Sequence, residues 1–550
     1  MVRCHADDGV TGGGAVRAQS ETYDPFRPVR RVGFRAEIAI VDADAKQNAS
    51  ASSAYTMVPS TPAQTVDGVV QNPQTFATLE KNAWILDGNH AIMDEDASGI
   101  GWWSSAVSEK NGAFTAPINL VFDFSADAKT VGLVMHFVPG YQPAEAGMRI
   151  RAFDADGAIA ADLYNTDGKP EQEIIFSAVY RRLQIDFYKT ALPGRRIRMT
   201  EIDFGVTQRF DADTISDAEI RYKVDAASAA LPYGECSLTV DNADRRWNIL
   251  NPSGIYQYLE QGQRVSIWCD IDGEEVSMGS FAFRSVEARD GALTAKITAA
   301  DIIAPLDDSN YNGGRCAAAS LSAAISEVLD GTGIDCVFDD GTADMTVMMS
   351  IPKNTTRRES IRLLAQAAMA CVYADRDGKL RFCRPSVVSA ADAVTKQIPL
   401  VTADGFVLAD ADGNAITVPT QTDGIQRLTA NELYDFDGIT ITEPVGIINL
   451  IVDDKYSGTE ITYTAGNAGK ERIERNPCVA SENGDDVASW LLSMYARKKK
   501  YNVRNRCDPA MELLDTVRIS DAYGQNDISM VTGITIQYNG GLTAETEAVG

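Results

Sequence analysis

Alternating apolar and polar positions dominate the chain between residues 31 and 210. Runs of this kind include Leu120–Phe124, Val131–Phe137 and Leu183–Phe187, and turn residues recur about every ten positions. Alternation with a period of two places one face of each strand toward a core. The pattern therefore predicts an all-β sandwich, with Asp154–Gly157 as a turn between two of its strands.

A second β-rich block is predicted over 211–305. Its strands are expected at Cys236–Val240, Arg264–Trp268 and Leu293–Thr298. Residues 1–30 contain three consecutive glycines and few apolar residues, which is typical of a flexible arm.

The periodicity changes to that of helices over 306–390. Apolar residues from Leu321 to Leu329 recur at helical spacing, and Gly331 is placed to end that helix. Thr356–Glu359 has the sequence of a capping box at the start of a second helix. The segment Val372–Phe382 follows as a hairpin, and its Asp-Gly pair favours a type I′ turn. These elements predict a small α/β domain.

The last two segments are also predicted to be rich in strands. Residues 391–440 have the pattern of a β-rich insertion, and 441–550 that of a second barrel with one amphipathic helix around Val487–Tyr495. The predicted fold is thus mainly β and multidomain (α+β). It consists of a jelly-roll sandwich, two related barrels and a small α/β domain.

The two predicted barrels share an internal repeat. Three elements occur in the same order in both, as Val265–Ile267, Val276–Gly279 and Gly291–Ala295 and then as Val517–Ile519, Ile528–Val531 and Gly541–Ala544. Chance similarity between two antiparallel barrels is one explanation, and duplication of a domain is the other. Duplication would let three chains close a ring with near-sixfold symmetry, because homo-oligomers usually have closed rotational symmetry.

The charge balance limits the partners of the protein. Asp and Glu number 77 against 50 Lys and Arg, which gives a net charge of −27. Wrapping DNA or docking on anionic lipid requires a basic surface, so the net charge argues against both functions. An acidic wall is compatible with DNA that passes through a narrow lumen without specific binding, since repulsion is screened over about 8 Å. The alternative is an acidic outer surface that keeps the protein soluble.

Cysteine usage and apolar runs give no sign of secretion or membrane insertion. Nine cysteines stand at wide spacing without a CxxC pair. This pattern argues against a disulfide framework and against a zinc site, and favours reduced thiols in a cytoplasm. Neither an apolar signal segment at the start nor a run of about 18 apolar residues is present. No signal peptide and no membrane span are expected.

The sequence contains no motif that specifies a catalytic or cofactor site. GxSxG, HExxH, P-loop and dinucleotide-binding motifs are absent, so no catalytic residue, cofactor or metal is predicted and the protein is expected not to be an enzyme. Asp410–Asn414 begins like a calcium loop, but Gln421 stands where a bidentate Glu is needed, which favours a hairpin turn. The basic run Arg497–Lys500 is expected to end the last helix, where cations complement the helix dipole, and docking of a partner is the alternative.

The larger part of the chain resembles the tail-tip and baseplate hub proteins of phages. Three fragments carry the resemblance in the order of that family: Leu231–Asp301, Arg357–Phe382, and Asp508–Gly524 with the ending Tyr538–Gly550. They lie within 211–390 and 441–550. The resemblance implies a homotrimer that caps the tail tube. Longer relatives carry a lysozyme, peptidase or fibre extension after the second barrel, and this chain is expected to lack that extension, where catalysis would be expected.

Residues 31–210 resemble a galactose-binding-like, or discoidin-like, jelly roll. The fragments that carry this resemblance are Ser50–Ser53, Thr65–Gly68, Trp102–Trp103 and Arg196–Ile202. Such modules often bind sugars through loops at one end, although the fold also serves as scaffolding. Trp84, Trp103 and Tyr141 are the candidate glycan contacts, and packing in the core of the sandwich is their alternative role.

These features predict a structural hub of a phage or phage-like tail. A trimeric ring would link the tail tube to the distal tail protein, the tape measure protein and the tip or fibre proteins. The protein would be located in the virion after assembly in the host cytoplasm, with host-surface glycan as a further partner. The alternatives are a glycan-binding adhesin of the tail and a polysaccharide-degrading enzyme with an accessory module.

Overall fold

The computed structural model describes residues 4–6, 30–57, 60–66, 101–164, 167–248, 250–251, 254–289, 291–339, 341–385, 395–399, 416–422, 426–428, 433–454, 457–520 and 526–550. The chain divides into two compact units. The larger unit comprises Met1–Ala36, Phe210–Arg245 and Arg264–Gly550, and the smaller unit comprises Glu37–Arg209 and Arg246–Gln263. Strands predominate and form several sheets, which confirms the predicted mainly β, multidomain fold class.

The described residues up to 210 contain ten strands and one α-helix. They are β1 (Cys4–Ala6), β2 (Val32–Val41), α1 (Ala43–Asn48), β3 (Ala49–Ser52), β4 (Trp102–Trp103), β5 (Ala113–Phe137), β6 (Met148–Phe153), β7 (Ile159–Leu163), β8 (Glu171–Lys189), β9 (Arg198–Asp203) and β10 (Gly205–Phe210). Strand β1 lies within the predicted N-terminal arm, where its backbone pairs in parallel with Cys336–Phe338.

The smaller unit is built on two long antiparallel strands, β5 and β8. Its strand order is β4-β9-β5-β8-β6-β7, and β3 also pairs with β5. The pairing of β5 with β8 is interrupted at three places, the last between Thr130 and Gly132. Such irregularities bend a strand. The predicted strands Leu120–Phe124 and Val131–Phe137 are therefore parts of one bent strand.

The core of the smaller unit comes from alternate residues of these two strands. Ile118, Leu120 and Phe122 on β5, like Leu183 and Ile185 on β8, have no exposed surface. The predicted turn Asp154–Gly157 is present, because the Asp154 carboxylate accepts the Asp156 and Ala158 amides at 3.0 and 2.8 Å and Gly157 has a φ of +82°.

The remaining strands and α-helices of the described residues belong to the larger unit. They are β11 (Ile215–Lys223), β12 (Glu235–Asp241), β13 (Arg264–Ile271), β14 (Glu274–Glu287), β15 (Thr294–Ala300), β16 (Asn310–Tyr311), β17 (Ala318–Ser320), α2 (Leu321–Val328), β18 (Cys336–Phe338), β19 (Thr346–Met348), β20 (Thr355–Thr356), α3 (Arg357–Ala367), β21 (Cys371–Ala374), β22 (Leu380–Cys383), β23 (Thr395–Pro399), β24 (Thr417–Thr422), β25 (Gln426–Leu428), β26 (Leu433–Ile441), β27 (Val445–Asp454), β28 (Thr459–Gly466), β29 (Lys470–Arg475), α4 (Gly484–Tyr495), β30 (Lys499–Asn505), β31 (Thr516–Ser520), β32 (Asn526–Tyr538) and β33 (Leu542–Val549).

The larger unit contains one five-stranded antiparallel motif twice. The N-terminal motif has the strand order β11-β12-β15-β14-β13, and the C-terminal motif has the order β26-β30-β33-β32-β31. Both have an irregularity at the same point of the ladder, between Phe283 and Ser285 in β14 and between Val531 and Gly533 in β32. The two motifs are therefore equivalent strand by strand.

Hydrogen-bond register shows which residues of the two motifs correspond. Arg264 pairs with Ala282, which pairs with Ala300, and in the same way Thr516 pairs with Met530, which pairs with Val549. This register makes Val265 equivalent to Val517 and Leu293 to Leu542, as the sequence repeat predicted. It also corrects the middle element of the repeat. Met530 corresponds to Ala282 rather than to Met278, a displacement of four residues.

Strand β11 joins the two motifs within the chain. It pairs with β12 of its own motif and, along its other edge, with the second half of β32. Ile220 on β11 lies opposite both Cys236 and Ile536, and all three side chains are buried. Backbone hydrogen bonds therefore make one continuous sheet of the two motifs.

The predicted α/β elements are present between the motifs. Helices α2 and α3 are N-capped by Ser320 and Thr356, whose hydroxyls accept backbone amides three residues later. The turn of the β21–β22 hairpin is not of type I′, because only Gly378 has a positive φ, +75°. The Asp375 carboxylate accepts the Asp377 and Lys379 amides at 3.0 and 2.8 Å, and this fixes a three-residue loop ending in left-handed Gly378.

The equivalent leucines of the two motifs offer a test of their unequal burial. Leu542 is 5% exposed and Leu293 is 61% exposed. Leu542→Ala is expected to lower the free energy of unfolding by about 2–5 kcal/mol. Leu293→Ala is expected to change it by less than about 0.5 kcal/mol in the isolated chain. Denaturant unfolding at low protein concentration measures both values, and equal losses would contradict the described packing.

Candidate functional site

Three loops of the smaller unit meet beside strand β9. The Ser108 amide donates to the Arg195 carbonyl at 2.9 Å, the Val138 amide to the Arg198 carbonyl at 3.0 Å, and the Ala191 amide to the Gln142 carbonyl at 3.0 Å. Backbone hydrogen bonds thus hold residues 104–109, 138–144 and 190–198 together. Two of the three predicted glycan contacts, Trp103 and Tyr141, lie at this place.

Two arginines stack with these aromatic rings. The Arg198 guanidinium carbon lies 3.9 Å from the centre of the Trp103 ring and 3.8 Å from the centre of the Tyr141 ring. Arg195 lies 5.0 Å from the Tyr141 ring and donates to the Tyr141 hydroxyl at 3.2 Å. We call Trp103, Tyr141, Arg195 and Arg198 the arginine–aromatic cluster. Cation–π contacts of this kind orient both partners.

Burial separates the roles of the aromatic side chains. Trp103 is 2% exposed and Arg198 is 6% exposed, so the Trp103 ring presents no open face on which a sugar could stack. Core packing, the alternative role that the sequence left open, describes Trp103. Tyr141 is half-buried and reaches the surface. Trp84 lies outside the described residues.

The surface of the same loops carries apolar and hydrogen-bonding groups. Leu192 and Val107 are 47% and 42% exposed, and Arg196 donates to the Ser104 carbonyl at 3.0 Å. A half-buried Tyr beside guanidinium groups and exposed aliphatic carbons provides both contacts that a sugar uses, an aromatic surface and directed hydrogen bonds. The sequence pattern indicated Tyr141 as a candidate contact but did not indicate Arg195 or Arg198. Their only signal was an Arg-rich segment at the start of a strand.

A second cluster of the smaller unit surrounds His136. His136 Nε2 lies 3.5 Å from the Asp203 carboxylate, and its Nδ1 lies 3.9 Å from Glu171. Lys46 bonds Asp203 at 2.9 Å and also Glu201. The hydrogen bond with Asp203 outweighs burial and raises the pKa of His136. Burial raises the pKa of Asp203, but the bonds from His136 and Lys46 outweigh it and the pKa falls below its usual value.

Two buried carboxylates of the larger unit have strongly raised pKa values. Burial raises the pKa of Asp301 to about 6 and that of Asp515 to about 8. Asp301 accepts the Ile303 amide at 2.9 Å, and Asp515 accepts the Glu512 amide at 2.8 Å. Both carboxylates bind backbone of their own loops, which is an anchoring role.

The other sequence candidates lie in the larger unit. Asp410–Asn414 falls outside the described residues. Of the basic run, Lys499 bonds Asp527, and Arg497 lines a cleft of about 800 Å³, where burial lowers the pKa of its guanidinium. Within the described ranges, no three His, Cys, Asp or Glu side chains are placed to hold a metal ion. No helix in the described part of the chain is long and apolar enough to cross a membrane.

The protein is mainly β and multidomain. Its larger unit contains a duplicated five-stranded motif, and its smaller unit is a β-sheet structure with its own hydrophobic core. No protein-family profile and no curated protein matches the chain. Similar solved structures include a 43 kDa tail protein of prophage MuSo2 from Shewanella oneidensis, with 14% identity and a TM-score of 0.40 over 62% of this chain and 95% of that one. A tail protein from Neisseria meningitidis MC58 has 10% identity and a TM-score of 0.40 over 62% and 94%.

A different group of solved structures covers another share of the chain. The family 32 carbohydrate-binding module of C. perfringens NanJ, solved with galactose, has 13% identity and a TM-score of 0.20 over 31% of this chain and 99% of that one. The structures similar to this chain are thus tail proteins over the larger share and carbohydrate-binding modules over the remainder.

The His136 cluster predicts a pH dependence of stability. Because the pKa of His136 is raised by folding, its contribution is fully present below the unfolded value of about 6.5 and is lost as pH rises through the raised value. The melting temperature of the chain is expected to exceed that of His136→Gln at pH 5.5, and the two are expected to converge at pH 9. Asp203→Asn removes the carboxylate that raises the pKa of His136. In that background, His136→Gln should no longer change the melting temperature more at pH 5.5 than at pH 9. A difference between chain and variant that stays constant over this range would contradict the assignment.

Proposed function

We propose that the protein is a structural hub of a phage or phage-like tail tip, assembled as a homotrimeric ring. The observation that carries this proposal is the five-stranded motif that occurs twice in the larger unit with the same strand order and the same irregularity. Three chains with two equivalent motifs each supply six similar elements around one axis. Closed rotational symmetry of this kind is the usual outcome of homo-oligomer assembly.

The position in the tail follows from the resemblance of the sequence to hub proteins. The ring would cap the tail tube and contact the distal tail protein, the tape measure protein and the tip or fibre proteins, in a virion assembled in the host cytoplasm. Its role would be structural rather than enzymatic. The net charge of −27 supports an acidic lumen through which DNA passes without specific binding.

The smaller unit would act as a carbohydrate-binding module of this hub. Its own hydrophobic core supports a self-contained module, and the arginine–aromatic cluster supports recognition of a host-surface glycan at the loops around Tyr141. Trp84 is proposed as a second stacking residue. Trp103 would contribute indirectly, because it holds Arg198 against Tyr141.

Solution mass tests the hub. Light scattering on the purified chain is expected to give three times its mass of 59.4 kDa. A monomer that binds glycan would contradict the ring and favour the alternative function, a glycan-binding adhesin.

Glycan binding is tested on an array with the full-length protein. Tyr141→Ala is expected to lower the affinity for any bound glycan by about tenfold or more, because loss of one stacking ring costs at least about 1.4 kcal/mol. Tyr164→Ala is the matched control, since Tyr164 is 58% exposed and lies outside the three loops. An array without hits, or equal affinity of the two variants, would leave the module a scaffolding role only.

A further inference from the structure

The two equivalent motifs of the larger unit differ in how their strand edges are used. In the C-terminal motif, Gly533–Tyr538 of β32 extends past the end of β31 and pairs with β11 along that edge. The equivalent part of the N-terminal motif is Ser285–Glu287 of β14, which extends past the end of β13. Among the described residues no strand pairs with it there. One motif therefore has a filled edge where the other has an open one.

The first strands of the motifs show the converse difference. Strand β11 is paired along both edges, with β12 and with β32. Its equivalent, β26, pairs with β30 on one edge, and no strand of the described part of the chain covers the other. The chain thus has one open edge on β14 and one open strand, β26, which are the counterparts of two strands that pair within the chain.

Apolar side chains are buried beside the paired strand edges and exposed beside the open ones. Ile220 on β11 has no exposed surface, whereas its equivalent on β26, Ile439, is 47% exposed. The next apolar position on β26, Ile441, is 74% exposed. Leu542 is 5% exposed beside the filled edge, and its equivalent Leu293 is 61% exposed beside the open one. These apolar side chains are exposed where the partner strand of the other motif is missing.

We propose that β26 of one chain pairs antiparallel with the open edge of β14 in a second copy of the chain. This inference rests on the proposed ring and deepens it, because it names the two surfaces that meet. The register is that of β11 on β32. There Arg221 lies opposite Thr535 and Tyr222 opposite Ile534. Transferred to the equivalent residues, Thr440 of one chain lies opposite Glu287 of the next, and Ile441 lies opposite Val286.

The contact joins two different surfaces of the chain, β26 and the open edge of β14. Each chain therefore pairs through β26 with one neighbour and through β14 with the other. A head-to-tail contact of this type closes a ring when the rotation allows it. Strand addition is stabilised by backbone hydrogen bonds, and alternate side chains give it specificity. An open apolar edge without a partner would also promote non-specific pairing, which native sheets avoid. A second copy of the chain can cover the open edge, because the equivalent strands β11 and β32 already pair antiparallel within one chain.

Disulfide trapping between separate chains tests the register. Thr440→Cys and Glu287→Cys are made in different chains, each with Cys316→Ser because the Cys316 thiol is exposed. Directly opposed residues of paired strands are close enough for a disulfide. Oxidation of the mixed chains is expected to give a reducible band of twice the chain mass.

Arg221→Cys with Thr535→Cys in one chain is the positive control for the same register. A mixture with Ala288→Cys in place of Glu287→Cys, one residue out of register, is expected to give at least tenfold less product.

A charged side chain on β26 provides a second test of the proposed contact between β26 and β14. Ile441→Asp is expected to lower the assembled fraction at least tenfold at a fixed protein concentration, without a change in the unfolding of the monomer. Ile473→Asp is the matched control, because Ile473 is 60% exposed and lies on neither edge.

The outcomes separate the contact from the ring. Assembly of full mass without a cross-chain disulfide, while the internal control oxidises, would overturn the contact and leave the ring intact. A chain that stays monomeric at every concentration would overturn both.

Discussion

The backbone pairing of β11 with β32 is the constraint on which the larger unit depends. It places one motif at a fixed register against the other, so that Ile220 is buried between Cys236 and Ile536. Arg376, in the turn of the β21–β22 hairpin, reinforces this arrangement. Its guanidinium donates to the Pro509 and Met511 carbonyls and lies near the Ser277 carbonyl. A rigid relation between two equivalent motifs within a chain is what allows the same relation to recur between chains.

Much of the larger unit could be predicted from the sequence, since its repeat elements are apolar residues at fixed spacing. Val265 and Leu293 were matched correctly with Val517 and Leu542. The middle element failed by four residues because an even displacement keeps alternate side chains on the same face, so the apolar pattern does not detect it. Irregularities in the ladder absorb such displacements, and they leave little trace in a single sequence. The turn at Gly378 failed for a related reason, because an Asp-Gly pair occurs in more than one hairpin loop and the Asp375 carboxylate decides between them.

The candidate site of the smaller unit could be predicted only in part. Aromatic residues near predicted loops were visible in the sequence, but their burial was not, and burial distinguishes Tyr141 at the surface from Trp103 in the core. Arg198, which stacks on both rings, was missed because Arg in a strand of a surface sheet usually faces solvent. Here Arg198 is buried because two aromatic rings and backbone groups surround it.

A reconstruction of the assembled protein by electron cryomicroscopy tests the central claim most directly. In the proposed ring, the two five-stranded motifs of each chain are expected to superpose on each other and to alternate at one height around a single axis. The strand between neighbouring chains should then be β26, continuing the sheet of β14. Motifs at different heights, or chains that meet only through residues 37–209, would contradict the account.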